Sequence, residues 1–106
     1  LLFGPVTAAP KFPEKEFIIA KHYVLAACVV ASYPGTPLAK EADAWAGVLV
    51  EEGSLGAAAY PALSKLGHSA PAPASTQFGV VLRLASCAEF VARDDVAIKI
   101  RSAMDR

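Results

Sequence analysis

The chain has no excess charge of either sign, few aromatic residues, two cysteines, two histidines and no long uninterrupted apolar run. Each shortage closes off a class of protein. Ten basic and ten acidic residues leave a formal charge of zero, so there is neither a basic footprint for nucleic acid nor a polybasic patch for anionic lipid. No stretch runs 18 apolar residues without a break, because Lys21 and His22 interrupt the best candidate, and no membrane span is expected. The soft ligands Cys28, Cys87, His22 and His68 form neither C-x-x-C nor H-x-x-x-H, so no metal and no cofactor are expected. A glycine-rich phosphate loop, a G-x-S-x-G elbow and a convincing carboxylate pair are missing too. A cysteine-histidine hydrolase would need an exposed, activated thiolate, whereas both cysteines sit in apolar stripes. Six residues of helix also place His22 about 240° around from Cys28. The chain is not expected to be an enzyme.

What is present points to helices. A chain of 106 residues makes one domain. Hydrophobic residues supply 55% and aromatics 8%, with alanine providing much of the excess, which favours close-packed helices over a sheet rich in Val, Thr and Tyr. The expected fold is all-α, a compact bundle of four to five helices over residues 14–106. Residues 1–13 read as an extended arm, rich in proline and without periodicity. Leu1 to Phe3 resemble the tail of an apolar signal region, and Val6-Thr7-Ala8 has the small-residue spacing of a cleavage site, which suggests export; the other reading is an ordinary tail.

The organising stretch is Phe17 to Tyr33, on which apolar residues recur at Phe17, Val24, Cys28 and at Ile18, Leu25, Val29, giving a broad helical stripe. Tyr33-Pro34-Gly35 ends it. Thr36 then reads as an N-cap with Pro37 at the first helical position, and LAKEADAWAGVLVEE continues a second helix with Leu38, Ala42, Trp45 and Leu49 on one face. Gly53 stops it and Ser54 is placed to cap a third segment, Leu55 to Leu66. Pro61 inside that segment means either a kink or a loose turn with the helix beginning near Tyr60. Ser75 or Thr76 is expected to cap a fourth helix carrying Phe78, Val81, Leu82, Ala85 and Ala88 on one stripe, with Val80, Leu84, Cys87 and Val91 beside it. With so little polar surface this helix is expected to be central. Asp94 is expected to cap a last helix, Asp95 to about Met104. The alternation of Val96, Ile98 and Ile100 also suits a strand, which would have nothing to pair with.

Two features carry function. Each cysteine lies in the middle of a core-like helix, and a bond between them would tie the first half of the chain to the second. It would close a loop worth on the order of 4 kcal/mol in the chain-entropy model and imply an oxidising compartment. The other reading is two buried free thiols. Gly67 to Thr76 reads as loop throughout, long for a connector in a compact domain, and is the expected binding segment.

The order of LAACVVASY (Leu25 to Tyr33), TPLAKEADAWAGVLVEEG (Thr36 to Gly53), AAYPALSKL (Ala58 to Leu66), a loop and LRLASCAEF (Leu82 to Phe90) resembles the periplasmic immunity proteins of type VI secretion amidase effectors, the Tai group, and most of all its fourth family. The resemblance spans about Phe17 to Val91. It implies a small helical inhibitor with a Cys28–Cys87 disulfide, exported to the periplasm, often a homodimer, whose partner is a cognate secreted peptidoglycan amidase of the NlpC/P60 type. It also implies that the loop before the last cysteine-bearing helix blocks the amidase cleft. Here that loop comprises His68, Ser69, Ala70, Pro71, Ala72, Pro73, Ala74, Ser75, Thr76 and Gln77. Its Ala-Pro-Ala-Pro centre departs from the glycine-rich, polar loops of the family and suggests a stiffer, more apolar plug. A different class of function is a structural or small-ligand-binding helical domain, with Trp45 or Tyr60 lining a small apolar pocket; plain core packing is the other role open to Trp45.

Overall fold

The structure, a computed structural model, describes residues 12–106. The expected arm and signal-region remnant therefore lie outside the described residues, except for Phe12, which packs against the core, and Pro13. Five helices are found among the described residues: α1 (Glu14–Ser32), α2 (Pro37–Glu52), α3 (Ala59–His68), α4 (Arg83–Val91) and α5 (Asp94–Met104). The fold is all-α, as its alanine-rich composition predicts.

Helix α1 is the axis. All four other helices pack on it, while α5 also contacts α3 and α4. An element surrounded in this way needs apolar residues around much of its circumference rather than on one stripe, and α1 buries Phe17, Ile19, Ala20, Val24, Ala26, Ala27, Cys28 and Val29. One core cluster gathers Phe17, Ala20, Val24, Leu63, Phe90, Val91, Val96, Ile100, Ala103 and Met104, drawn from α1, α3, α4 and α5. A second joins Ala26, Cys28, Val29, Ala42 and Cys87 from α1, α2 and α4.

The helix ends follow from local chemistry. α1 stops at Tyr33-Pro34-Gly35, where Gly35 takes φ +74°, a left-handed conformation that glycine adopts without a steric penalty. Thr36 caps α2 as expected: its hydroxyl oxygen accepts from the Ala39 amide at 3.2 Å and its hydroxyl donates to the Tyr33 carbonyl at 2.6 Å. Residues 53–58 form a loose connection and α3 begins at Ala59, so Pro61 falls in the first turn, where its missing N–H has no intrahelical acceptor to lose. α5 is a helix rather than a strand. Its start is marked by Arg93, which donates to both carboxylate oxygens of Asp95 at 3.0 and 2.7 Å, and this pairing holds the exposed Asp95 carboxyl below its usual range.

Asp94 does not cap α5: it is the first residue of the helix, and Arg93 holds the cap position without a side-chain cap bond. Three further expectations need correction. Ser54 caps no helix; its amide and hydroxyl both donate to one carboxylate oxygen of Glu16, at 2.7 and 2.9 Å. Glu16 is 7% exposed, and a buried carboxylate needs such donors to offset the water it gives up. The loop begins later than Gly67, since Gly67 and His68 form the last turn of α3. Lastly, no helix spans Phe78 to Leu82, and α4 lies at the periphery: it buries only Cys87, Phe90 and Val91, while Leu84 is 52% exposed. The central element is α1.

The Cys28–Cys87 disulfide forms, with Cα atoms 5.8 Å apart and a sequence separation of 59. Each cysteine is 1% exposed. A disulfide sulfur carries no hydrogen, so the Ser32 hydroxyl is the donor in its 3.5 Å contact with Cys87 Sγ. Nearby, a Cβ on Gly67 would sit 2.7 Å from both Ala27 Cβ and the Val24 carbonyl oxygen. The close approach of α3 to α1 thus depends on a glycine there.

Two stability predictions follow from this packing. Removing the crosslink with Cys28→Ala and Cys87→Ala together is expected to lower the unfolding free energy by about 4 kcal/mol, read from urea denaturation. Gly67→Ala is expected to cost about 1–3 kcal/mol, because the atoms it meets include backbone that cannot swing aside; a stability equal to wild type would refute this close contact.

Candidate binding site: a hairpin and an apolar trough beside the disulfide

The segment between α3 and α4 is more ordered than a connector. At its start, the Ser69 hydroxyl and amide both donate to the Leu66 carbonyl, and His68 Nδ1 donates to the Ser64 carbonyl at 2.7 Å, finishing α3. Ala70 turns inward and packs against both core clusters. Pro71, Ala72, Pro73 and Ala74 are exposed, and the two prolines limit the backbone freedom of this stretch.

The chain then reverses in a small hairpin. Leu82 N donates to the Ala74 carbonyl at 2.9 Å, Thr76 N to the Val80 carbonyl at 2.8 Å and Gly79 N to the Thr76 carbonyl at 3.0 Å. Ser75 and Val81 form an isolated antiparallel bridge. The Thr76 hydroxyl oxygen accepts from the amides of Phe78 and Val80 at 3.3 and 3.1 Å. Gly79 has φ +82° and open space around it, so backbone conformation rather than crowding favours glycine there. The arrangement is a β-turn followed by a left-handed residue, a common hairpin closure. Thr76 does not cap a fourth helix; it caps a turn, and α4 begins only at Arg83.

At the apex sits Phe78, 85% exposed, with Val80 58% exposed behind it. Phe78 was expected inside a helix stripe, and it is the residue that periodicity misplaced most. The T-Q-F-G string, with glycine three residues after a side chain able to bind its neighbours' amides, carries the signal of a turn. Of the expected binding residues, the hairpin brings Ala74, Ser75, Thr76 and Gln77 together with Phe78, whereas His68 and Ser69 belong to the end of α3 and Ala70 to the core.

The hairpin leads straight into α4, which the disulfide holds against α1. On the side of α4 facing α2 lies an open trough of about 460 Å³. Leu25 and Val29 come from α1, Leu38, Ala42 and Trp45 from α2, and Leu84, Ala85 and Ala88 from α4. Trp45 is half-buried, and its indole meets the His22 ring with centroids 5.3 Å apart at 41°. Tyr60, the other aromatic expected at a pocket, is elsewhere: it packs edge-on to Tyr23 at 5.3 Å. Burial, and after it the charge of Asp43 and the Tyr60 hydroxyl, raise the Tyr23 pKa. Among the described residues no group of three or more His, Cys, Asp or Glu side chains is placed to hold a metal ion, and no helix is long and apolar enough to cross a membrane.

No family model, curated protein or solved structure matches the chain.

The order within the hairpin is checkable. Thr76→Val removes the acceptor shared by two amides, worth about 1 kcal/mol. Hydrogen exchange at the Phe78 and Val80 amides is expected to accelerate about fivefold, with the protection of α1 amides unchanged. Equal protection in the two proteins would show that the hydroxyl does not order the turn.

Proposed function

We propose that the chain is a non-catalytic inhibitor, an immunity protein that inserts its 74–82 hairpin into the active cleft of a type VI secreted peptidoglycan amidase of the NlpC/P60 type. By occluding that cleft it spares the producing cell and its siblings from cell-wall damage. The observation that carries this reading is Phe78, a large aromatic 85% exposed at the apex of a turn whose backbone is already hydrogen-bonded. Aromatic side chains held in solvent on ordered backbone are characteristic binding anchors, because little conformational freedom is left to lose on docking. An exposed phenylalanine at a loop tip also gives the isolated chain no packing energy.

Three further features support the same reading. The Pro71 and Pro73 stretch stiffens the base of the projection, and the disulfide fixes the helix into which it runs. The T-P-L-A-K-E-A-D string between the two cysteines is the part of the sequence that most resembles the amidase immunity group. A disulfide between buried cysteines also suits an oxidising compartment, which in this reading is the periplasm. Occlusion asks no bond-making of the inhibitor; it needs shape, an anchor and a polar rim, which Ser75, Thr76 and Gln77 supply. A homodimer is compatible with this scheme so long as the hairpin stays free.

The test is inhibition of peptidoglycan hydrolysis by the NlpC/P60-type amidases secreted by the same organism. The wild-type chain is expected to inhibit one of them stoichiometrically. Phe78→Ala is expected to weaken binding by about 2 kcal/mol, roughly thirtyfold, with an unchanged melting temperature. Failure of the wild-type protein to bind any of these enzymes would rule out the amidase; full inhibition by Phe78→Ala would rule out the hairpin as its anchor.

A further inference from the structure

We propose that the trough between α1, α2 and α4 is a separate binding site for a small cationic amphiphile, an apolar body bearing a single protonated amine. Its walls set the shape of the ligand. The space is held open by what lines it: Ala42 and Ala85 are too short to fill the gap, and α4 cannot roll inward because Cys87 ties it to α1. The volume of about 460 Å³ falls within the range of small-molecule sites. A cavity of about 150 Å³ accommodates benzene, so the trough has room for an apolar body of roughly a dozen heavy atoms.

Charge sets the head group. Glu41 is the one ionisable residue lining the trough among the described residues, and no ion pair there engages it. Three other concavities among the described residues differ in this respect, each having a basic side chain in its wall: Lys65, Arg93 or Arg83. Trp45 adds a second attraction for a cation, since the face of an indole draws an ammonium group, and His22 packs against that ring. An anionic amphiphile of the same size would meet the Glu41 carboxylate with nothing to offset it. No residue of the hairpin apex lines the trough, so the site stands independently of the amidase reading.

Trp45 is the only tryptophan in the chain, so its emission reports on this site alone. Purified protein would be titrated with octylammonium, 1-octanol and octanoate below their aggregation limits. Octylammonium is expected to give a saturable change at a concentration about threefold or more below that of octanol, with octanoate weakest. Glu41→Gln is expected to erase the preference for the amine while leaving octanol binding in place. Ala85→Phe fills the trough and is expected to abolish the response to all three. Should that variant fail to fold by circular dichroism, Leu84→Lys, at a residue 52% exposed, places a repelling charge on the lip and is expected to abolish the amine response. An absent or non-saturable response, equal affinity for the three compounds, or a response unchanged in the filled and charged variants would each overturn the proposal. No amidase enters the experiment, so its failure would leave the hairpin reading where it stood.

Discussion

The bond between Cys28 and Cys87 is the constraint on which the rest of the molecule depends. α4 has nine residues and buries three of them, too little apolar surface for a helix of that length to stay docked on packing alone. One of those three is Cys87, and its partner lies on the central helix. The covalent tie replaces the packing that α4 lacks and fixes the height of that helix over α1. Both the hairpin that precedes α4 and the trough beside it take their positions from this single anchor. Because both sulfurs are buried, the tie is shielded from solvent reductants as well.

Small residues set the remaining distances. α3 lies close enough to α1 that Gly67 meets Ala27 and the Val24 carbonyl without room for a methyl group. On the far side of α1, Ala42 of α2 joins Ala26 and the disulfide in the second cluster. Alanine and glycine let backbones approach each other, and they give little area in return; burial of about 25 cal/mol per Å² requires area. The larger side chains Phe17, Leu63, Phe90, Ile100 and Met104 are concentrated in the other cluster. The division explains why the crosslink lies where it does. It braces the half of the molecule whose alanine-rich contacts contribute least.

A binding role for the segment between α3 and α4 rests on how its order is divided. Ala70 is anchored in the core, Pro71 and Pro73 restrict the next four residues, and hydrogen bonds close the hairpin beyond them. Each device lowers the freedom that would be lost on docking without burying the apolar side chains at the tip. Contacts that would conceal Phe78 in the free chain are missing among the described residues, where it is 85% exposed. In the proposed complex, that exposed ring is what the partner's cleft covers.

Helix α1, its stop at Pro34-Gly35 and the Thr36-Pro37 start of α2 were legible from the sequence, because they rest on interactions within a few residues: stripe periodicity, a proline's missing N–H, a capping hydroxyl. α5 was legible to within one residue for similar reasons, and the all-α class followed from the alanine content. Pairing of the two cysteines was the preferred reading. Where local rules offered two partners for one group, only tertiary structure chose between them. Ser54 looked like a helix cap and became the donor to a carboxylate 38 residues away. The turn at Thr76 was a different case: its bonds lie within four residues, and helical periodicity overrode the local signal that the T-Q-F-G string carries. The apolar run from Phe78 to Leu84 looked like core because periodicity counts hydrophobic side chains but does not show what covers them. Near neighbours along the chain determined which segments are helical. The choice of α1 as the centre, the exposure of Phe78 and the opening of a trough beside Trp45 were decided by contacts between residues far apart in sequence, which set how much area each face can bury.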